Sequence, residues 1–574
     1  MGWAPSALLM DVQVADHPYA PLIEEQLSTC TDSITVDSTP GDASVYVAFE
    51  ELPRWNRAAI DRGIPLVTIE LGTVGGLPLA DIAGAVMLCD PTGPCFACLE
   101  TRVAATDEDR SAPAPPIDPP VGYVLAAIGG MYVRQHWSDE RQPGTVTTLP
   151  FNAHEVLPVP GCAACETDAD SRWLPGGAPD REPRSVTAAV AAGERAMDEH
   201  IGIIREVGEA RSLPAPYFLA RLAATTHMSD VQAPEQAAGV ADEWDVAFMK
   251  GIGECLERYA AGIYDASTFH SGTVAAVAPR LDPETCVRPI DASPLTEPLP
   301  WVPGTQLSTD EDTWIPAELV VFPPPAQDIR PPITTGLSLG NTIEEALAGG
   351  LAEVIERDAA MLAWYSTFEP MELQVTTDQY ERMVRRARFE DLELQLLLLT
   401  QDVDLPVVAC LAIRDRWPQL AVGSAARLDA SAAAIRAAEE ALQNWMELDE
   451  MGETGAMETA SRLARHATDP GDALDALAPA GSVNADQLSH EPIDDPMLRK
   501  QQLIELLTAA KLTPYAARTT TRDLERLGFE AVRVIIPTAQ PLVLGDPYFG
   551  DRARSVPDAL GYQATLNRSP HPFP

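Results

Sequence analysis

Apolar residues change their spacing along this chain. Up to about position 103 they fall in short runs, at 7–14, 44–49 and 64–70, separated by stretches of helical spacing at 19–29 and 53–62. Strand-like runs alternating with helices predict a parallel sheet. The acidic, proline-rich stretch 104–120 reads as a loop, 121–136 as a helix and 144–151 as a strand. Pro175, Gly176, Gly177, Pro179 and Pro183 make a linker of 169–184. The chain therefore divides into a module over 1–168, that linker, and a second domain over 185–574. In the second domain 244–264 is a helix with Met249, Ile252, Leu256, Tyr259 and Ile263 along one side. Thr342-Ile343-Glu344-Glu345 is a capping box opening another helix, with Leu347, Leu351, Val354 and Ile355 apolar. A third helix covers 431–451, the polar stretch 454–496 reads as a mobile excursion, and 531–537 is a strand.

Two of these helices carry the same pattern, Glu-x-x-Glu-Arg: Glu254, Glu257 and Arg258 on one, Glu353, Glu356 and Arg357 on the other. Glutamates three apart project from one side of a helix, so each pair can converge on a point. Two pairs brought together gather four carboxylates, and a hard divalent cation such as Mg2+ is their natural partner. With arginine beside each pair, the set suggests a nucleoside triphosphate site built without a Gly-rich phosphate loop. Gly251, Gly253, Gly349 and Gly350 sit in the same helices. Each costs helix stability, roughly 1 kcal/mol, which points to close approach of a backbone or ligand.

The formal net charge is −45, and lysine occurs only at Lys250, Lys500 and Lys511. Such a surface suits molar salt, where self-repulsion is screened within roughly 3 Å; the rival reading is an acidic protein with a basic partner. No basic stripe exists to neutralise phosphates, which argues against nucleic-acid binding. No long uncharged apolar run predicts a membrane span, and 1–10 lacks the basic start of a signal peptide, so a cytoplasmic protein is expected.

Nine cysteines in 574 residues do not suggest a disulfide framework. Cys95-x-x-Cys98 and Cys162-x-x-Cys165 are two hooks whose four thiolates can close a tetrahedral, structural Zn2+ site, with a redox pair or incidental cysteines as the alternatives. Cys30, Cys89, Cys255, Cys286 and Cys410 read as packing residues.

The run Gly93-Pro94-Cys95-Phe96-Ala97-Cys98-Leu99-Glu100-Thr101-Arg102, with the later hook, resembles the zinc-binding tail of ThiF-like adenylating domains. No Gly-x-Gly-x-x-Gly occurs near the start, so the likeness is to a truncated, degenerate ThiF-like (Rossmann-like) module that does not adenylate. The second domain resembles the YcaO family. The likeness rests on 250–258, on Gly336 to Ala359, on Glu439-x-x-x-Gln443 and on Pro570-x-Pro572-x-Pro574. Lys250 stands where the family pattern has serine. The fold class expected is thus α/β plus α+β and multidomain, with a YcaO-type ATP-binding domain.

The resemblance implies ATP-dependent activation of a peptide amide, giving azoline rings from Cys, Ser or Thr. Thioamidation, an accessory role to another modifying enzyme, or a non-enzymatic peptide-presenting scaffold are the alternatives. Glu254, Glu257, Glu353 and Glu356 become Mg2+ ligands. Arg258 and Arg357 either bind phosphate or orient the glutamates. Lys250 holds phosphate, Glu439 and Gln443 contact nucleotide or metal, and Pro570, Pro572 and Pro574 reach in and order the site. Residues added after Pro574 are expected to impair activity. No leader-binding wing is evident before the ThiF-like part, so a separate partner is expected to deliver the peptide, and a homodimer is expected from the family.

Overall fold

The computed structural model describes residues 11–28, 31–106, 119–137, 144–166, 170–488, 490, 493–566 and 569–574. The chain forms a mixed α/β multidomain protein. Its N-terminal unit is a seven-stranded sheet in the order Ser33–Asp37, Asp11–Ala15, Val45–Ala48, Leu66–Leu71, Gly84–Cys89, Thr145–Leu149, Asn152–Glu155. The first four strands are parallel and the rest antiparallel. Alternation along Val45–Ala48 feeds two cores, because successive side chains point to opposite faces. Val45 and Val47 pack under the helices Ala20–Leu27 and Pro119–Trp137, while Tyr46 and Ala48 pack under Leu52–Arg62 and Phe96–Thr106.

Three strands of this sheet were not anticipated: the short Asn152–Glu155, and two more missed for opposite reasons. Gly84–Cys89 is buried on both faces and shows no alternation. Ser33–Asp37 is a polar, exposed edge. Positions 1–10, 107–118 and Cys30 lie outside the described residues, and with them the expected start of the first strand and most of the expected 104–120 loop.

Downstream, three sheets meet three long helices. The helix Trp244–Gly262 lies on the antiparallel strands Gln236–Val240, Tyr217–Leu222 and Ile204–Arg211. The approach is close: a Cβ on Gly239 would stand 2.2 Å from the carbonyl of Ala247 and 2.2 Å from the amide nitrogen of Gly251. A five-stranded sheet separates the other two helices. Ile343–Trp364 packs with Leu397, Ala409, Leu411 and Val422. Ala430–Thr459 packs with Leu396, Val408, Cys410 and Ala421 on the opposite face. Thr342 caps the former helix: its hydroxyl accepts from the Glu345 amide at 3.2 Å, while Glu345 reaches back to the Asn341 amide at 2.9 Å. Leu337–Gly340 and Glu530–Ile535 belong to the remaining sheet and run beneath both glutamate helices.

The stretch 454–496 is not the mobile excursion expected. It contains the helices Ser461–Thr468 and Gly471–Ala476 and the strand Gly481–Asn484, which pairs in parallel with Met371–Gln374. Alanine and aspartate suggested solvation, yet Ala464, Ala467 and Ala473 are fully buried. Within 170–184, Trp173 is buried edge-on to Phe269, and Arg184 donates to the Leu527 carbonyl at 3.1 Å. Among the described residues no helix is long and apolar enough to cross a membrane.

Gly239→Ala tests the close helix–sheet contact. Overpacking against backbone atoms costs about 1–3 kcal/mol, so the denaturant midpoint should fall accordingly. An unchanged midpoint contradicts the contact.

Candidate active site

Both glutamate pairs face one cavity of about 1130 Å3. On the Trp244–Gly262 helix, Glu254 accepts from the Ala238 amide at 3.3 Å and from Arg258 Nη2 at 3.0 Å. Arg258 Nε lies 3.7 Å from Glu257 Oε1. On the Ile343–Trp364 helix, Glu353 accepts from the Gly336 amide at 3.0 Å and Glu356 from the Ser424 hydroxyl at 2.7 Å. Arg357 lies 3.5 Å from Glu356 and donates to Glu440 at 3.2 Å and to the Pro574 carbonyl at 3.1 Å. Glu439, Glu440 and Gln443 enter from the Ala430–Thr459 helix. Lys250 is ion-paired with Glu439 and donates to the Val240 carbonyl at 2.8 Å.

Ten of the residues singled out in the sequence line this cavity: Lys250, Glu254, Glu257, Arg258, Glu353, Glu356, Arg357, Glu439, Gln443 and Pro574. Pro570 and Pro572 do not; they anchor the tail that carries Pro574. The Pro570 carbonyl is 2.8 Å from His466 Nε2. Phe573 is fully buried in the main core. Arg462 donates to the His571 carbonyl and to His571 Nδ1, each at 2.9 Å, and to the Phe573 carbonyl. With Nδ1 accepting, the His571 proton is on Nε2, which donates to the Val543 carbonyl at 2.8 Å. Burial and the Arg462 charge push His571 down to about 3, so it stays neutral.

The electrostatics are those of an undercompensated acidic cluster. Burial raises Glu257 to about 8, against Arg258, with Glu353 and Glu254 adding to the rise. Burial raises Glu356 to about 8 as well, opposed by Arg357 and reinforced by Glu440. Glu353 is raised by burial, and Glu439 is raised to about 7 for the same reason. Burial opposes the charge on Arg357, but Glu440, Glu356 and Glu353 outweigh it. Among the described residues only the four cysteines stand close enough together to hold an ion as placed; the four glutamates, oxygen-rich and facing one cavity, are the donor type that a hard divalent cation takes. Such an ion replaces the protons and lets the acids ionise.

Several lining residues escaped the sequence reading. Asn341 and Glu345 line the cavity but were given no site role: Asn341 read only as part of the family likeness, Glu345 as part of that likeness and of the helix cap. Glu440 was hidden beside Glu439. Ser424, Arg427 and Arg436 also line it, and no pattern marks them because they come from a strand end and a helix face. Arg533, buried on the strand beneath Glu257 and Glu353, is pushed down to about 9 by burial.

Away from the cavity, Cys95, Cys98, Cys162 and Cys165 gather with their sulfurs within 4.8 Å of one another. Three sulfur pairs stand 3.9, 3.9 and 3.6 Å apart. A tetrahedron with Zn–S near 2.3 Å has edges of about 3.8 Å, so the cluster is the right size for a metal held by all four thiolates. The Val159 amide donates to Cys98 Sγ at 3.3 Å and Arg522 Nη1 to Cys165 Sγ at 3.5 Å. Cys89, Cys255, Cys286 and Cys410 are buried apart from this cluster.

A family model described as YcaO cyclodehydratase, ATP- and Mg2+-binding, matches residues 238–540, more than half of the chain. A protein of Methanothermobacter thermautotrophicus without assigned function is 33% identical over 175 residues, which is 29% of this chain and 45% of that one. The chain thus spans less than half the length of the curated relatives it matches. A solved heterocyclase in complex with substrate and cofactor superposes with a TM-score of 0.73 at 18% identity, over 99% of this chain and 86% of that one. The heterocyclase TruD gives 0.68 at 18%, over 99% and 83%. These two share the whole fold, N-terminal unit included.

A pH dependence follows from the acids. Glu257 and Glu356 hold protons up to about 8 in the folded chain but only to about 4.5 in ordinary surroundings. The unfolded state therefore binds fewer protons between those values, and stability falls as pH rises through the window. In Mg2+-free buffer the melting temperature should fall more steeply from pH 5 to 8 for the native protein than for Glu257→Gln. Equal slopes contradict the burial of an excess acid.

Proposed function

We propose, from the premise that the chain belongs to the YcaO family, that it is an ATP-dependent cyclodehydratase acting on backbone amides of a peptide or protein. The observation that carries this reading is the convergence of Glu254, Glu257, Glu353 and Glu356, from two helices, on one cavity. An amide carbonyl is a poor electrophile and its oxygen a poor leaving group. A substrate Cys, Ser or Thr side chain adds to the preceding carbonyl carbon. The resulting oxyanion takes the γ-phosphoryl of ATP, and phosphate departs with that oxygen. The amide nitrogen loses its proton as the C=N bond forms, leaving an azoline, ADP and phosphate.

The chain's share is placement and charge. Mg2+ held by the four glutamates would neutralise phosphate charge. The hydrogen bonds of Arg258 to Glu254 and of Arg357 to Glu440 and Pro574 support an orienting role for both arginines. Arg357 ties the tail to the wall that holds Glu356, so the tail sets that wall's position. Lys250, Glu439, Arg436 and Gln443 form a polar wall suited to a nucleotide. We read the N-terminal unit as a degenerate ThiF-like module and its four cysteines as a structural Zn2+ site. A separate partner delivers the peptide in this reading, and the −45 charge reflects a cytoplasm of high salt.

Three experiments test it. With ATP, Mg2+ and Cys- or Ser-containing peptides, the product should lose one water per ring; exchange of oxygen for sulfur would instead identify thioamidation. Glu257→Gln should lower ATP turnover by about 100-fold or more with little change in melting temperature, and retained turnover contradicts the assignment. Native mass spectrometry should find one zinc per chain. Cys162→Ser should lose it and about 3 kcal/mol or more of stability; a metal-free, equally stable native protein contradicts the zinc site.

A further inference from the structure

The cysteine site is tied to the back of the helix that carries Glu254 and Glu257 by a partly buried polar bridge. Arg522 and Asp523, adjacent in the chain, face in two directions. Arg522 donates to Cys165 Sγ at 3.5 Å and to the Thr92 carbonyl, at the first hook, at 2.6 Å. Asp523, with no exposed surface, accepts from the Tyr259 hydroxyl at 2.6 Å and is ion-paired with Arg102. Arg102 lies in the helix Phe96–Thr106, which begins within the first hook. It also donates to the carbonyls of Leu157 at 3.5 Å and Pro158 at 3.3 Å, in the run leading to the second hook. Its Nη1 lies 3.4 Å from the Tyr259 hydroxyl.

Tyr259 directly follows Arg258 on the Trp244–Gly262 helix. At about 100° per residue it points away from the side that carries Glu254 and Glu257. The N-terminal half of this helix is fixed by the approach of Gly251 to Gly239. Its C-terminal half is pinned from behind by the Tyr259 hydroxyl. We infer that Tyr259, held by Arg102 and Asp523, is a positioning residue for the glutamate pair, and that through it the cysteine-bearing unit sets the geometry of the cation site. This rests on the reading of the cavity as a Mg2+–nucleotide site. Mg2+ demands near-octahedral ligands at about 2.0–2.1 Å, so a small rotation of the helix displaces both carboxylates from useful positions. The N-terminal unit then serves as a brace for the catalytic domain as well as a body of its own.

Tyr259→Phe removes one hydroxyl and leaves the ring in its core. Calorimetry with a non-hydrolysable ATP analogue, titrated at a series of Mg2+ concentrations, reads the effect. The expected result is a rise of about fivefold or more in half-saturating Mg2+, with zinc content unchanged. Arg102→Met should do the same, and the double variant should be no worse than the singles, because the three groups act as one unit. If Arg102→Met does not fold, Asp523→Asn replaces it in the cycle. A Tyr259→Phe protein with half-saturating Mg2+ within twofold of native overturns the inference, whatever its melting temperature, because a merely structural tie would move only the latter. Effects that add in the double variant overturn it as well. A native protein that binds no analogue would instead refute the nucleotide cavity itself, and this inference with it.

Discussion

The burial of carboxylates with too little compensating charge is the constraint on which the rest of the site is organised. Glu257 and Glu356 are pushed up to about 8, chiefly by burial. A cluster of this kind is costly without a counter-ion. Around it are arranged Arg258, Arg357 and the buried Arg533, each beside an acid and none replacing a divalent cation. Strongly shifted acids that line a cavity mark a candidate site, because a purely structural core avoids them.

The scaffold explains how such a cluster is held. Three glycine contacts bring elements closer than side chains would allow: Gly239 on the Trp244–Gly262 helix, Gly350 on Val534, and Gly423 on the Ala430–Thr459 helix. Three of the four glutamates are then fixed by a group from another segment: Glu254 by the Ala238 amide, Glu353 by the Gly336 amide, Glu356 by Ser424. The tail completes the enclosure. Phe573 fills the core while Arg462 and His466 hold the backbone around it, so Pro574 arrives at the cavity with little freedom.

Legibility in the sequence follows the range of the interaction. The glutamate pairs were readable because a three-residue spacing on a helix is a local signal, and the cysteine hooks for the same reason. The parallel strands of the N-terminal unit were readable where apolar runs were short and bounded. What was not readable is what other elements supply. Ser424, Arg533 and the tail-gripping Arg462 carry no pattern of their own; each matters only through a neighbour distant in the chain. The 454–496 stretch misled because alanine packs without looking apolar in bulk, and its aspartates sit on the outer face. Glu345 misled in another way, since a good helix cap accounts for it without a ligand.

The most direct test of the central claim replaces Mg2+ by Mn2+ and adds a non-hydrolysable ATP analogue. Electron–nuclear double resonance should then show 31P coupling from nucleotide phosphates to a protein-bound Mn2+, and Glu353→Gln should abolish it. A Mn2+ signal with no phosphorus coupling, or coupling indifferent to Glu353, would contradict a cation held jointly by the glutamates and the triphosphate.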